Sequence, residues 1–112
     1  SAIKPTRWLV EKFVPQPGEG PSPEAQKAGF YDLRFVGRTE DGKTIITKVT
    51  GDQDPGYGST GKMLGEAGMC LAFDIPADQP GGFWTPSSLL DGKLMDRLTS
   101  KAGLTFEVLE TR

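Results

Sequence analysis

The chain of 112 residues contains no histidine. That removes the Ser-His and Cys-His nucleophile pairs and the commonest metal ligand in one step. A single cysteine, Cys70, excludes an internal disulfide and any multi-cysteine zinc site. No stretch approaches the roughly 20 apolar residues of a membrane-spanning helix, and no secretory signal is visible, so a cytoplasmic location is expected. Excess positive charge is missing too. Thirteen Lys and Arg face fifteen Asp and Glu, a net charge of −2, which argues against a nucleic-acid partner.

What is present is glycine and proline, fifteen and nine residues, so turns and loops should take a large share of one domain. An apolar share of 36% and a charged share of 25% describe an ordinary globular composition. Three parts are expected: an opening segment 1–14, a Pro/Gly-rich loop 15–29, and an α+β domain 30–112. Ser1–Ile3 carry no signal of their own. The abrupt apolar start at Arg7–Val14 suggests a chain cut from something larger, and that segment reads as one or two helical turns or as an edge strand. Pro15–Glu24 holds four prolines and no apolar anchor, the pattern of a solvated linker or of an ordered lid.

Tyr31, Leu33 and Phe35 alternate with Asp32 and Arg34, and Ile45, Thr47 and Val49 alternate with Thr44, Ile46 and Lys48. Both runs predict strands, with a hairpin at Asp41-Gly42. A two-residue loop would set Phe35 against Lys48. A three-residue loop, Glu40-Asp41-Gly42, pairs Phe35 with Thr47 and Leu33 with Val49, and is preferred, with Gly42 in the left-handed position. Further on, Gly82-Phe83-Trp84 reads as a very short strand. Thr85-Pro86 opens a second helix with Leu90, Leu94, Met95 and Leu98 as its buried stripe, and Gly103 stops it. Leu104–Leu109 reads as a last strand. The predicted order is β-β-α-(β)-α-β: a small, mainly antiparallel or mixed sheet with two helices packed on it.

The central helix grows out of Gly51–Pro76. Asp54 and Pro55 are a good cap and first-turn pair, and Tyr57, Thr60 or Gly61, Leu64, Ala67 or Gly68, and Leu71 recur at helical spacing. Gly56, Gly58 and Gly61 spell G-x-G-x-x-G, and Lys62 almost completes a phosphate loop whose magnesium-binding hydroxyl is replaced by Met63. A dinucleotide loop needs a strand directly before its first glycine. Here Asp52-Gln53-Asp54-Pro55 intervenes and brings two carboxylates to where a pyrophosphate would sit. The glycines therefore read as packing positions, and this chain is expected to bind no cofactor itself. Gly58, Gly61, Gly65 and Gly68 should line one side of the helix, approached closely by another backbone or a flat ligand. Cys70 reads as a buried structural thiol. If the helix start serves a substrate, the candidates are the Tyr57 phenol, the Ser59 and Thr60 hydroxyls and the Lys62 ammonium, with first-turn amides that favour an anionic group. No metal site is expected.

Taken in order, PQPGEGPSPE, GFYDLRFVG, GDQDPGYGSTGKMLGEAGMCLAFD and GGFWTPSSLLDGKLMDRLTSKAGLTFEVLE resemble the C-terminal end of saccharopine dehydrogenase-like oxidoreductases, on the branch called trans-acting enoyl reductases. The resemblance runs from about Phe13 to Glu110, and is most specific at PGEGPS and DPGYGSTGKM. It implies an upstream Rossmann domain of the same protein holding NAD(P)H, and a second domain covering the cofactor, shaping the site for a small-molecule or acyl substrate, or making homodimer contacts. It implies hydride transfer to an enoyl double bond in lipid or polyketide assembly. The chain alone, lacking the cofactor half, is expected to be inactive, and the resemblance carries no catalytic residue onto it. The competing expectation is a binding or interaction module with no chemistry of its own.

Overall fold

The computed structural model describes residues 4–112; the reading of Ser1–Ile3 falls outside them. In chain order the elements are α1 (Lys4–Phe13), α2 (Pro23–Ala28), β1 (Tyr31–Arg38), β2 (Thr44–Gly51), α3 (Gly58–Phe73), α4 (Pro86–Leu89), α5 (Asp91–Lys101) and β3 (Thr105–Thr111). The strands form one antiparallel sheet in the order β1-β2-β3. It is an α+β fold.

The hairpin has the register that the alternation predicts: Leu33 lies opposite Val49 and Phe35 opposite Thr47. Thr39 and Lys43 close a three-residue loop, and Gly42 sits at φ +87°. On β3, Phe106 lies opposite Val49 and Val108 opposite Thr47. Between Ile46 and Thr47 the register shifts so that Leu109 is the extra residue of a bulge. Alternate residues share a face, so Leu33, Phe35, Thr47, Val49, Phe106 and Val108 all point to one side. The other side carries the ion pairs of Asp32 with Arg34 and Lys48.

Part of the apolar side is covered. Leu98 and Ala102 from α5 and Leu104 after it form the buried centre, with Val49, Met63, Leu94 and Phe106 packed around them. α5 ends as expected, with Gly103 in the left-handed region at φ +71°. Thr85 and Ser88 build a reciprocal cap with Pro86 in the first turn.

Several expectations need correction. Residues 82–84 form no strand; they run as irregular chain into the Thr85 cap. The second helix is two pieces, because the backbone turns at Asp91, which adopts φ +42°, a region that Asp tolerates better than most residues. Segment 15–29 is not all loop: Ser22 caps α2 by accepting from the Ala25 amide, with Pro23 in the first turn. The segment Arg7–Val14, open between helix and strand in the sequence, lies largely in α1.

The largest correction concerns α3. Its inward side is Ser59, Met63 and Cys70, while Leu64 and Leu71 are 74% and 54% exposed. A methyl group placed on Gly61, Gly65 or Gly68 would meet nothing within 4 Å. Gly58, the fourth glycine of the expected row, is closely approached, but by the Gln53 and Asp54 side chains; no backbone of the described residues approaches the other three, and among these residues their side of the helix is open. Helical periodicity placed the helix but chose the wrong stripe: Tyr57, Leu64 and Leu71 of the expected stripe are exposed, and Ser59, Met63 and Cys70 face inward instead.

Candidate functional site

At the start of α3, polar side chains from several segments converge. Asp54 lies three residues after β2 ends, and its carboxylate accepts from three successive amides: Gly56 and Tyr57 at 3.0 Å and Gly58 at 2.7 Å. The Asp54 amide in turn donates to the Gln26 carbonyl at 3.0 Å, which ties α2 to this corner. Asp54 closes the turn before the helix instead of capping the helix as expected: α3 begins at Gly58, its cap position is Tyr57 with no side-chain cap hydrogen bond, and Pro55 lies in the preceding turn. Its consequence reverses another expectation. The amides leading into the helix are already taken within the protein: Gly56, Tyr57 and Gly58 donate to the Asp54 carboxylate and Ser59 to the Asp54 carbonyl.

The four candidate residues are divided by the structure. Ser59 is fully buried, and its hydroxyl shares a 2.8 Å hydrogen bond with the Tyr31 phenol. Tyr31 can lie across the end of β2 because residue 51 is glycine; a Cβ there would run into the ring. Ser59 thus anchors α3 to β1 and is closed to a ligand. Thr60 turns its hydroxyl back to the Pro55 carbonyl. The Lys62 ammonium is held at 2.6 Å by Asp52. Tyr57 is 59% exposed, and its ring lies against Gly20 of the Pro/Gly-rich segment, where an added Cβ would sit 3.5 Å from the ring. The structure therefore brings the Pro/Gly-rich segment and Tyr57 into contact.

A second polar cluster gave no sequence signal. At the far end of α3, Arg97 of α5 pairs bidentately with Asp74 and reaches Glu66 at 3.1 Å. Hydrogen bonding to Arg97 holds the Asp74 carboxyl below its ordinary value, and the same contacts raise Arg97. The partners are separated by 23 and 31 positions, so periodicity could place Arg97 only on a wet face. Cys70, fully buried on the same helix, has its thiol pushed up by burial, with the Asp74 carboxylate adding to the shift. A thiol so held is inert at neutral pH.

Among the described residues no group of three or more His, Cys, Asp or Glu side chains could hold a metal ion, and no helix is long and apolar enough to cross a membrane. Two apolar hollows flank the contact between α5 and the sheet. One, of about 340 Å³, lies between Leu33, Pro55, Met63 and Leu104. The other, of about 330 Å³, lies beside Thr47, Met95 and Val108. Neither the Asp54 corner nor the Arg97 cluster presents a free nucleophile or an acid–base pair within these residues.

No family model and no solved structure matches the chain. Curated proteins do. A Mycobacterium tuberculosis protein carrying the provisional name of a trans-acting enoyl reductase is 35% identical over 102 residues, which cover 90% of this chain and 24% of that protein. A trans-acting enoyl reductase of Mycobacterium ulcerans is 31% identical over 90 residues, 80% of this chain and 21% of its own length. One from Mycobacterium bovis is 32% identical over 93 residues, 82% and 22%. The chain spans about a quarter of the length of the curated relatives it matches. Along most of its length it is homologous to one quarter-length portion of the trans-acting enoyl reductases.

Proposed function

We propose that this chain serves as the substrate-side or dimer-contact portion of an NAD(P)H-dependent oxidoreductase that reduces an enoyl double bond in lipid or polyketide synthesis. The observation that carries the reading is the homology to proteins named trans-acting enoyl reductase along 90% of the chain. In this reading the saccharopine dehydrogenase-like organisation holds: an upstream Rossmann domain of the same protein carries the cofactor, and this portion closes over it in the cytoplasm. The occupied Asp54 corner supports assigning the cofactor elsewhere, because the glycines of GYGSTG leave no amide cluster for a pyrophosphate. Among the residues singled out by sequence, Tyr57 and Thr60 remain exposed; the Thr60 hydroxyl is turned back to the Pro55 carbonyl, which leaves the Tyr57 phenol, with the Gly20 loop beside it, as the substrate-side candidate.

A chimera tests this. The homologous quarter of the Mycobacterium tuberculosis relative is replaced by this chain, and oxidation of NADPH is followed with an enoyl thioester. Reductase activity in the chimera is expected, along with no heat of NADPH binding to this chain alone. A folded chimera that stays inactive beside an active parent would reject the reading, as would micromolar NADPH binding to the chain by itself.

A further inference from the structure

The two hollows beside α5 differ in lining. The one of about 330 Å³ is lined in part by polar atoms. The one of about 340 Å³ presents no polar surface at all. Its floor belongs to the core: Leu98 and Leu104 are 8% and 3% exposed. Val49 and Phe106 of the sheet and Met63 of α3 are its half-buried walls. Leu33 and Pro55, both exposed, stand at its mouth. The only hydroxyl among the lining side chains, the Tyr31 phenol, is already bonded to Ser59. This is a recess between the sheet, α3 and α5, floored by the buried centre, and distinct from the open row at Phe35 and Val108.

We propose that this recess holds the hydrocarbon chain of an acyl substrate, whose polar end leaves past Pro55 in the turn that carries Tyr57. Polarity is the first argument. A polar or charged group entering the recess gives up its hydrogen bonds to water and finds no partner, a loss that a hydrocarbon chain does not suffer. Size is the second. Packed interiors leave few voids larger than a water molecule, an apolar cavity of ~150 Å³ admits benzene, and ligand pockets begin near ~300 Å³. A helix from elsewhere in a longer protein is too thick to fill it: one turn, ~10 Å across and ~5.4 Å long, already exceeds the volume. Position is the third. Pro55 lies two residues before Tyr57, so a chain seated on Leu98 and Leu104 emerges in the same turn as the exposed phenol.

This rests on the substrate-side half of the function proposed above and deepens it, and its test needs neither cofactor nor turnover. Calorimetry of the chain with hexanoate, octanoate and decanoate, below their micelle concentrations, should show affinity rising ~3–4-fold with each added methylene. Octanedioate, which carries a second carboxylate into the recess, should bind at least ~10-fold more weakly than octanoate. Leu33→Trp and Met63→Trp fill the recess from two sides and should each cost decanoate at least ~10-fold. Val36→Trp, on the opposite face of β1, should leave its affinity unchanged. Circular dichroism identifies which variants keep the fold, and one folded filling variant suffices; if neither folds, the octanedioate comparison decides. Equal affinities along the series overturn the proposal, as do equal affinities for octanoate and octanedioate or a folded filling variant that binds decanoate like the wild type. Decanoate should also bind the chimera within ~3-fold of the isolated chain. Binding to the isolated chain alone would show that the rest of the longer protein occupies the recess, and would overturn the proposal too. None of these results touches the reductase reading, which stands or falls with NADPH oxidation in the chimera.

Discussion

Two neighbouring rows of side chains on the same face of the sheet have different surroundings. Val49 and Phe106 pack against Leu98 and Leu104. One step along the strands, Phe35 and Val108 are more than half exposed. Both rows obey the same alternation, and alternation is a property of the strand alone. Cover is supplied by a helix, and α5 with its eleven residues reaches only part of the sheet. An apolar face is therefore a statement about what can be buried, and the row beyond α5 marks where burial inside this chain ends.

The sharpest way to break that comparison is to truncate one side chain from each region. Leu104→Ala, at a site only 3% exposed, should lower the unfolding free energy by about 2–5 kcal/mol. Phe35→Ala, at a site 53% exposed, should change it by less than about 0.5 kcal/mol. Urea midpoints at unchanged slope give both values. If the Phe35 variant loses as much as the Leu104 variant, the two rows are equally buried in solution and the contrast disappears.

The same contrast explains what could be read beforehand. The hairpin register was legible because an apolar face and a turn must agree, and only a three-residue loop keeps Phe35 off Lys48. Thr85-Pro86 and Gly103 were legible because caps are local. α2 carries the same cap-then-proline signal at Ser22-Pro23, hidden by the proline-rich composition around it. The direction that α3 faces was not legible, since Leu64 and Met63 are adjacent apolar residues and only the position of α5 decides which goes inside. For the candidate site, Asp54 as an amide acceptor was legible. The Tyr31–Ser59 link, across 28 positions, and the Arg97 cluster were not, because both depend on tertiary approach.

A smaller effect separates the two ends of α3. At its start, Asp54 is satisfied by backbone amides; at its end, Asp74 is held by side chains, chiefly Arg97 with a smaller contribution from Cys70. The Asp74 carboxyl is lowered by that hydrogen bonding, so its contribution is fully present above the unfolded carboxylate value of about 3.9 and is lost as pH falls through the lower folded value. Melting temperature followed from neutral pH down to about pH 3 should therefore drop on the acid side. Arg97→Met should lower the neutral-pH melting temperature and flatten that acid limb. Asp41, lowered by its Thr39 hydrogen bond, remains as a residual contribution in the variant. Equal acid slopes in both proteins would show that the far end of the helix does not depend on this pair.

The smallest expected effect lies on the open side of α3 and tests the comparison most directly. Gly65 sits inside a sixteen-residue helix with ordinary helical φ, and a Cβ added there meets nothing within 4 Å. Glycine at such a position is a pure loss of helix propensity, because the unfolded chain gains freedom with no contact in return. Gly65→Ala should therefore stabilise the chain by about 0.5–1 kcal/mol, and Gly61→Ala, equally open, by a similar amount. In the longer chimera the outcome carries more information. If the upstream domain packs its backbone against these glycines, the added methyl group intrudes, and the gain shrinks or changes sign. Thermal melts of Gly65→Ala in the isolated chain and in the chimera separate the cases. Stabilisation in both would mean that the glycine side faces water throughout, and stabilisation only in the isolated chain would identify it as a covered surface. A loss in the isolated chain would contradict the open side described here.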